Sequence, residues 1–167
     1  MTAPSRPHRV CLVCSGNICR SPMAETVLRR LVEKVGLGGR VEVGSAGTGP
    51  WHVGEDPDPR AVRALERRGY PPPAATARQF RPSWFAEQDL ILALDTGHAS
   101  ELRAMAPDAE AAARVHLLRS FDGRARGHLD IPDPYYSGQA AFDRCLAVIE
   151  RACLGVVDVL RRELEEG

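Results

Sequence analysis

The sequence predicts an α/β protein: a doubly wound, four-stranded parallel sheet flanked by helices on both faces. Two observations carry this. Short apolar runs of strand length alternate with longer segments whose apolar residues recur at helical spacing, and the alternation repeats along the whole chain. The 167 residues are enough to bury a full core and too few to need two, so residues 1–167 are expected to form one domain, with 1–8 as a disordered N-terminal tail. Alternation of this kind implies right-handed crossovers and a ligand site beyond the carboxyl ends of the strands.

In order, residues 10–13 (Val-Cys-Leu-Val) read as a short buried strand. A polar, glycine-containing turn leads into a helix over 22–34, where Val27, Leu28, Leu31 and Val32 share a face. Ser21 fits as its cap and Pro22 as its first residue, where a missing N–H costs nothing; Gly36 and Gly38-Gly39 end it. A second strand is expected over 40–45 and a second helix over 59–69, with Ala61, Val62 and Leu65 inward and Gly69 as the stop. The third strand covers 89–94, the third helix 96–105, the fourth strand 114–118 and a long terminal helix 139–165. Segments 70–75 and 122–138 are loops, the second long enough to suggest function.

The 22 Lys+Arg balance 22 Asp+Glu, so no summed positive field exists to hold nucleic acid or an anionic membrane, and neither is expected as a partner. No apolar stretch approaches the roughly 20 residues of a membrane helix, and positions 1–9 do not read as an export signal, so a cytoplasmic location is expected. Five cysteines (11, 14, 19, 145 and 153) are odd in number and unevenly spaced, as befits reduced thiols. Cys11 and Cys14 form a Cys-x-x-Cys without a second pair, so neither a metal nor a cofactor is expected. Cys145 and Cys153 fall in a helical apolar pattern and read as core residues.

Between the first strand and the first helix lies Cys14-Ser15-Gly16-Asn17-Ile18-Cys19-Arg20-Ser21, a Cys-(x)5-Arg-Ser arrangement. A loop this short at a helix N-terminus turns its N–H groups inward as a nest for a tetrahedral dianion, and the planar Arg20 fork can grip two of its oxygens. Phosphate and other oxyanions are the expected guests. The same N–H groups and helix dipole favour a thiolate at Cys14. Ser21 is placed either to donate to that sulfur or simply to cap the helix.

From Val13 to Glu25 the chain resembles the signature of the low-molecular-weight protein-tyrosine phosphatases. The resemblance continues through Ser45-Ala46-Gly47-Thr48, Trp51, Asp58-Pro59-Arg60-Ala61, Ala77-Arg78-Gln79 and Asp133-Pro134-Tyr135-Tyr136, and is closest to the bacterial, actinobacterial-type branch. The expected strand order is the flavodoxin-like 2-1-3-4. The resemblance implies phosphotyrosine hydrolysis in protein substrates through a cysteinyl-phosphate: Cys14 as nucleophile, Arg20 and the loop N–H groups holding phosphate, and Asp133 as general acid and then base. It also implies that Trp51, His52, Tyr135 and Tyr136 line the substrate cleft, and that Cys19 forms a reversible disulfide with Cys14. A monomer is expected. One position departs: Ala75 stands where many relatives carry a His that braces the loop asparagine, so Asn17 must be held by Ser45 or by loop backbone, in a left-handed conformation that Asn tolerates. Two other readings share these residues. An arsenate reductase needs relay cysteines, which 75–110 lack. A silent phosphotyrosine-binding module usually loses the nucleophile or the acid, and both are present.

Overall fold

Strand β1 (His8–Cys14) is central, and the period-2 alternation of its side chains divides the interior into two cores. Val10, Leu12 and Cys14 face one core, built with Val27, Leu28, Leu146 and Ile149. Cys11 and Val13 face the other, with Phe80, Phe85 and Leu102. A strand buried on both faces reads as an unbroken apolar run, which is the pattern seen at 10–13. Cys11 and Cys14 therefore point to opposite faces and their thiols cannot share a metal ion.

The computed structural model describes residues 6–165. After β1 come α1 (Arg20–Lys34), β2 (Val41–Gly47), α2 (Pro59–Arg67), β3 (Leu90–Ala93), α3 (Thr96–Met105), α4 (Ala109–Ala112), β4 (Val115–Leu117) and α5 (Gln139–Glu165). The four strands lie in the order β2-β1-β3-β4, and every pair is parallel. The predicted doubly wound sheet and its order are both present. On α5, Phe142, Cys145, Leu146, Ile149, Ala152, Cys153, Val156, Val157 and Leu160 are buried, the spacing of a helix with one face on a core. Burial pushes the Cys145 thiol up to about 12 and the Cys153 thiol higher still, which makes both inert core residues. Among the described residues no helix is long and apolar enough to cross a membrane.

Three expectations need correction. The first helix begins at Arg20 rather than Pro22, and its N-cap, Cys19, makes no side-chain cap bond. Ser21 lies inside the first turn, so its hydroxyl is not a cap. The tail expected over 1–8 does not include residues 6–8: His8 opens β1 opposite Val41, and Arg6 pairs with Asp89 at 3.1 Å. Strand pairing and this ion pair hold 6–8 in place, while residues 1–5 lie outside the described residues. Helix α4 was not anticipated; at four residues it is too short to show periodicity, although Asp108 caps it by accepting from the Ala111 N–H at 2.8 Å.

Candidate active site

The sheet order reverses between β1 and β3, so their carboxyl ends open a crevice, and the loop 14–21 fills it. Cys14 ends β1 and Arg20 opens α1, which puts the thiol under a helix N-terminus. The end of β2 closes against the loop: the Thr48 and Gly49 N–H groups donate to the carbonyls of Cys14 and Ser15 at 2.9 and 3.1 Å. Gly47 permits that approach, because a Cβ there would stand 2.5 Å from the Ser15 oxygen.

Asn17 shapes the loop from within. Its φ of 59° is left-handed, and its carboxamide is fully engaged. Oδ1 accepts from the Arg78 N–H at 3.0 Å, while Nδ2 donates to Ser21 Oγ at 2.8 Å and to Ser45 Oγ at 3.0 Å. Ser45 Oγ in turn donates a hydrogen bond to Glu25 Oε1 at 2.5 Å, and Arg29 holds the other Glu25 oxygen at 2.7 Å. Ser45 and the Arg78 backbone thus brace Asn17 where the resemblance implied a histidine in place of Ala75. Because Asn17 donates to Ser21 Oγ, the Ser21 proton is left for Cys14 Sγ, 2.9 Å away, with the Ala46 carbonyl a more distant alternative at 3.4 Å.

Arg20 is 3% exposed. Its Nη1 donates to Asp95 Oδ2 at 2.9 Å and to the Ile131 carbonyl at 2.7 Å, and Nη2 lies 3.6 Å from Asp133 Oδ2. Burial works to raise the Asp95 carboxyl, but the His98 N–H and the charges of His98 and Arg20 outweigh it and hold that carboxyl below the usual carboxylate range. Asp133 stands on the loop 122–138, which is tied down on both sides of it. The Ile131 N–H donates to the Leu94 carbonyl at 2.9 Å, and Arg60 donates to the carbonyls of Tyr135 (2.9 Å) and Ser137 (2.7 Å). Asp58, the N-cap of α2, holds Arg60 in turn, with Oδ2 2.9 Å from its Nη2.

Around these groups is a cavity of about 330 Å³ lined by Cys14, Ser15, Gly16, Ile18, Cys19, Arg20, Trp51, His52, Asp133, Tyr135 and Tyr136. Of the catalytic, loop and cleft residues expected from the sequence, Asn17 and Ser21 alone do not line it; their side chains bond to each other on the inner side of the loop. Trp51 and Tyr136 are exposed at the rim, Tyr135 stacks edge-on against Tyr136 at 4.9 Å between ring centres, and His52 is tilted 6.2 Å from Tyr135. Burial, reinforced by the Asp58 charge, pushes the Cys19 thiol well up, so it is a neutral thiol beside the site. Among the described residues no group of three or more His, Cys, Asp or Glu is placed to hold a metal ion.

Sequence reasoning missed Glu25 and Arg29 behind the loop, Asp95 and His98 beside Arg20, and the Asp58 to Arg60 clasp on the loop of Asp133. Asp58-Pro59 and Asp95-Thr96 do read as helix caps, but a cap signal does not say that the same carboxylate reaches an arginine 75 positions away.

Comparison with known proteins agrees with this geometry. The family described as low molecular weight phosphotyrosine protein phosphatase matches residues 9–166. A low molecular weight protein-tyrosine-phosphatase of Streptomyces coelicolor is 53% identical over 159 residues, covering 95% of this chain and 96% of that protein. The crystal structure of YfkJ from Bacillus subtilis superposes with a TM-score of 0.88 at 32% identity, over 96% of this chain and 99% of that one. A protein tyrosine phosphatase from Entamoeba histolytica, solved with Hepes in its active site, gives a TM-score of 0.87 at 29% identity, over 96% and 99% of the two chains.

Proposed function

This chain belongs to the low molecular weight phosphotyrosine protein phosphatase family and is a protein-tyrosine phosphatase, and from that premise we propose that it works through a cysteinyl-phosphate formed on Cys14. The observation that carries the reading is the meeting, in one cavity, of a sulfur under a helix N-terminus, a buried guanidinium and a carboxylate 3.6 Å from that guanidinium.

Cys14 Sγ attacks phosphorus in line with the phenolic oxygen. The P–O bond breaks, and Asp133, carrying a proton beside the dianion, delivers it to the departing phenolate. Arg20 Nη1 is committed to Asp95 and Ile131, and among the described residues Nε and Nη2 donate no hydrogen bond, so the outer edge of the fork is available to two equatorial oxygens. The loop N–H groups take the rest, the electrostatic contribution that dominates phosphoryl transfer. In the second step Asp133 takes a proton from water, the water oxygen attacks phosphorus, the S–P bond breaks, and the Ser21 hydroxyl receives the returning thiolate. Trp51, His52, Tyr135 and Tyr136 supply the faces against which a phosphotyrosine ring packs. The Hepes in the Entamoeba relative's active site, a sulfonate buffer, supports an oxyanion at this position.

We also propose that, after a peroxide transfers one oxygen to the Cys14 thiolate to give a sulfenic acid, its own O–O bond being reduced, the Cys19 thiol attacks the sulfenic sulfur, forming a disulfide and releasing water, which guards the nucleophile. All five cysteines are free thiols, which supports a reducing, cytoplasmic location, and we propose that the chain acts there as a single-domain monomer.

Turnover of a phosphotyrosyl peptide and of p-nitrophenyl phosphate, with EDTA and at mildly acidic pH, tests the mechanism. Chelator-insensitive activity that vanishes in Cys14→Ser and falls steeply in Asp133→Ala is expected. Activity that survives in Cys14→Ser means another nucleophile, and an inactive wild type means a binding module or an arsenate reductase.

A further inference from the structure

His98 is buried, 3% exposed, in the first turn of α3, and it touches the start of the loop 14–21 directly and the end of that loop through Asp95. Its Nε2 lies 2.7 Å from Ser15 Oγ, near the start of the loop. Its Nδ1 lies 3.2 Å from Asp95 Oδ1, close enough for charge attraction though off the line of a good hydrogen bond, and Asp95 holds Arg20 at the loop's end. Ser15 also lines the cavity that receives the oxyanion.

The tautomer follows from these contacts. In a neutral imidazole, a lone pair on Nδ1 would face the Asp95 carboxylate, so the proton sits on Nδ1 and Nε2 is the acceptor. Ser15 must then spend its only hydroxyl proton on Nε2 and can offer the cavity nothing but lone pairs. When the imidazole takes a second proton, Nε2–H becomes the donor to Ser15 Oγ, and the Ser15 proton is released.

We propose that His98 is a positioning residue of the loop and that its protonation reverses the Ser15 hydrogen bond, turning the Ser15 hydroxyl toward the bound oxyanion as an additional donor. This rests on the reading of the loop as the oxyanion site. Burial, the largest influence, keeps the imidazole neutral further down the pH scale than an exposed histidine. Of the charged groups that face it, Asp95, Glu101 and Asp133 favour the proton and Arg20 opposes it. The reversal therefore belongs to the acidic end of the working range, where the enzyme would hold oxyanions more tightly.

Inorganic sulfate is the suitable probe, because it remains a dianion throughout and does not titrate with the protein. Its inhibition constant is measured against pH in the wild type and in Ser15→Ala, and the ratio of the two isolates Ser15 from the titrations of other groups. A ratio near one at neutral pH that rises to about tenfold on acidification is expected, the effect of one hydrogen bond to a charged group. In His98→Gln, whose amide N–H donates to Ser15 at every pH, this dependence disappears. Should that variant fail to fold, imidazole nitrogen shifts of wild-type His98 decide: sulfate must move its titration upward. A ratio that does not change with pH, a His98→Gln protein with the wild-type dependence, or a His98 titration unmoved by sulfate overturns the proposal. Sulfate that does not bind the wild type at all overturns instead the reading of the loop.

Discussion

Asp95→Asn separates two duties that one carboxylate performs. Asp95 caps α3 by accepting from the His98 N–H at 2.9 Å, and it holds Arg20 Nη1 at 2.9 Å. Asn ranks with Asp as a cap, so the helix start should lose only a few tenths of a kcal/mol. The loss falls on Arg20, whose side chain is 4% exposed and then keeps the Ile131 carbonyl as hydrogen-bond acceptor and the more distant Asp133 carboxylate at 3.6 Å. A hydrogen bond to a charged group is worth about 1.5–3 kcal/mol. If that expense appears in the transition state, kcat/KM falls by about 10- to 100-fold. Stability carries a second signature. The Asp95 carboxyl lies below its ordinary value in the folded chain, so its contribution is present above the unfolded carboxylate range and is lost as pH falls through the folded value. The wild type should therefore be the more stable protein near neutrality, and the gap should narrow on acidification. Steady-state kinetics with p-nitrophenyl phosphate and urea unfolding across that pH range read both. A variant within twofold of wild-type kcat/KM, with a stability gap that does not change with pH, would refute the claim that Asp95 holds Arg20 through its charge.

Three further variants probe the rest of the site. Arg60→Ala removes the donors that fix the Tyr135 and Ser137 carbonyls at 2.9 and 2.7 Å; kcat should drop about tenfold through a looser Asp133, while the inhibition constant of inorganic phosphate stays unchanged. Gly47→Ala brings a Cβ to 2.5 Å from the Ser15 carbonyl and should cost about 1–3 kcal/mol of stability, with loss of phosphate binding measured by calorimetry. Ser21→Ala removes the hydroxyl 2.9 Å from Cys14 Sγ and the acceptor of an Asn17 N–H; hydrolysis of the phosphoenzyme should slow about tenfold, seen in stopped flow as a nitrophenol burst ahead of a slower steady state.

The parts of the molecule legible in the sequence are those whose physics is local. Residues 10–13 announce a strand because both faces are buried, and 139–165 announces a helix because one face is. The loop 14–21 is legible for the same reason: thiol, inward N–H groups and guanidinium lie within eight consecutive residues. The start of α1 was misplaced because Ser21-Pro22 imitates a cap, whereas the Ser21 hydroxyl is drawn to Cys14 Sγ and Asn17 inside the fold. Beyond the Ser45 brace on Asn17, what holds the loop was not legible. The Ser15 to His98 contact spans 83 positions and the Arg20 to Asp95 pair 75, and only the parallel pairing of β1 with β3 brings them together. No periodicity records such a pairing, so a histidine behind the loop looks like any other residue at a helix start.

The central claim is a covalent bond between Cys14 and phosphorus. Acid quenching of the enzyme during turnover of p-nitrophenyl phosphate, followed by intact mass and peptide mapping, tests it directly. A phosphoryl group on the peptide carrying Cys14, more abundant in Ser21→Ala than in the wild type and absent from Cys14→Ser, is the predicted result. Rapid turnover with no phosphorylated cysteine at any quench time, or a phosphoryl group on another residue, would contradict it.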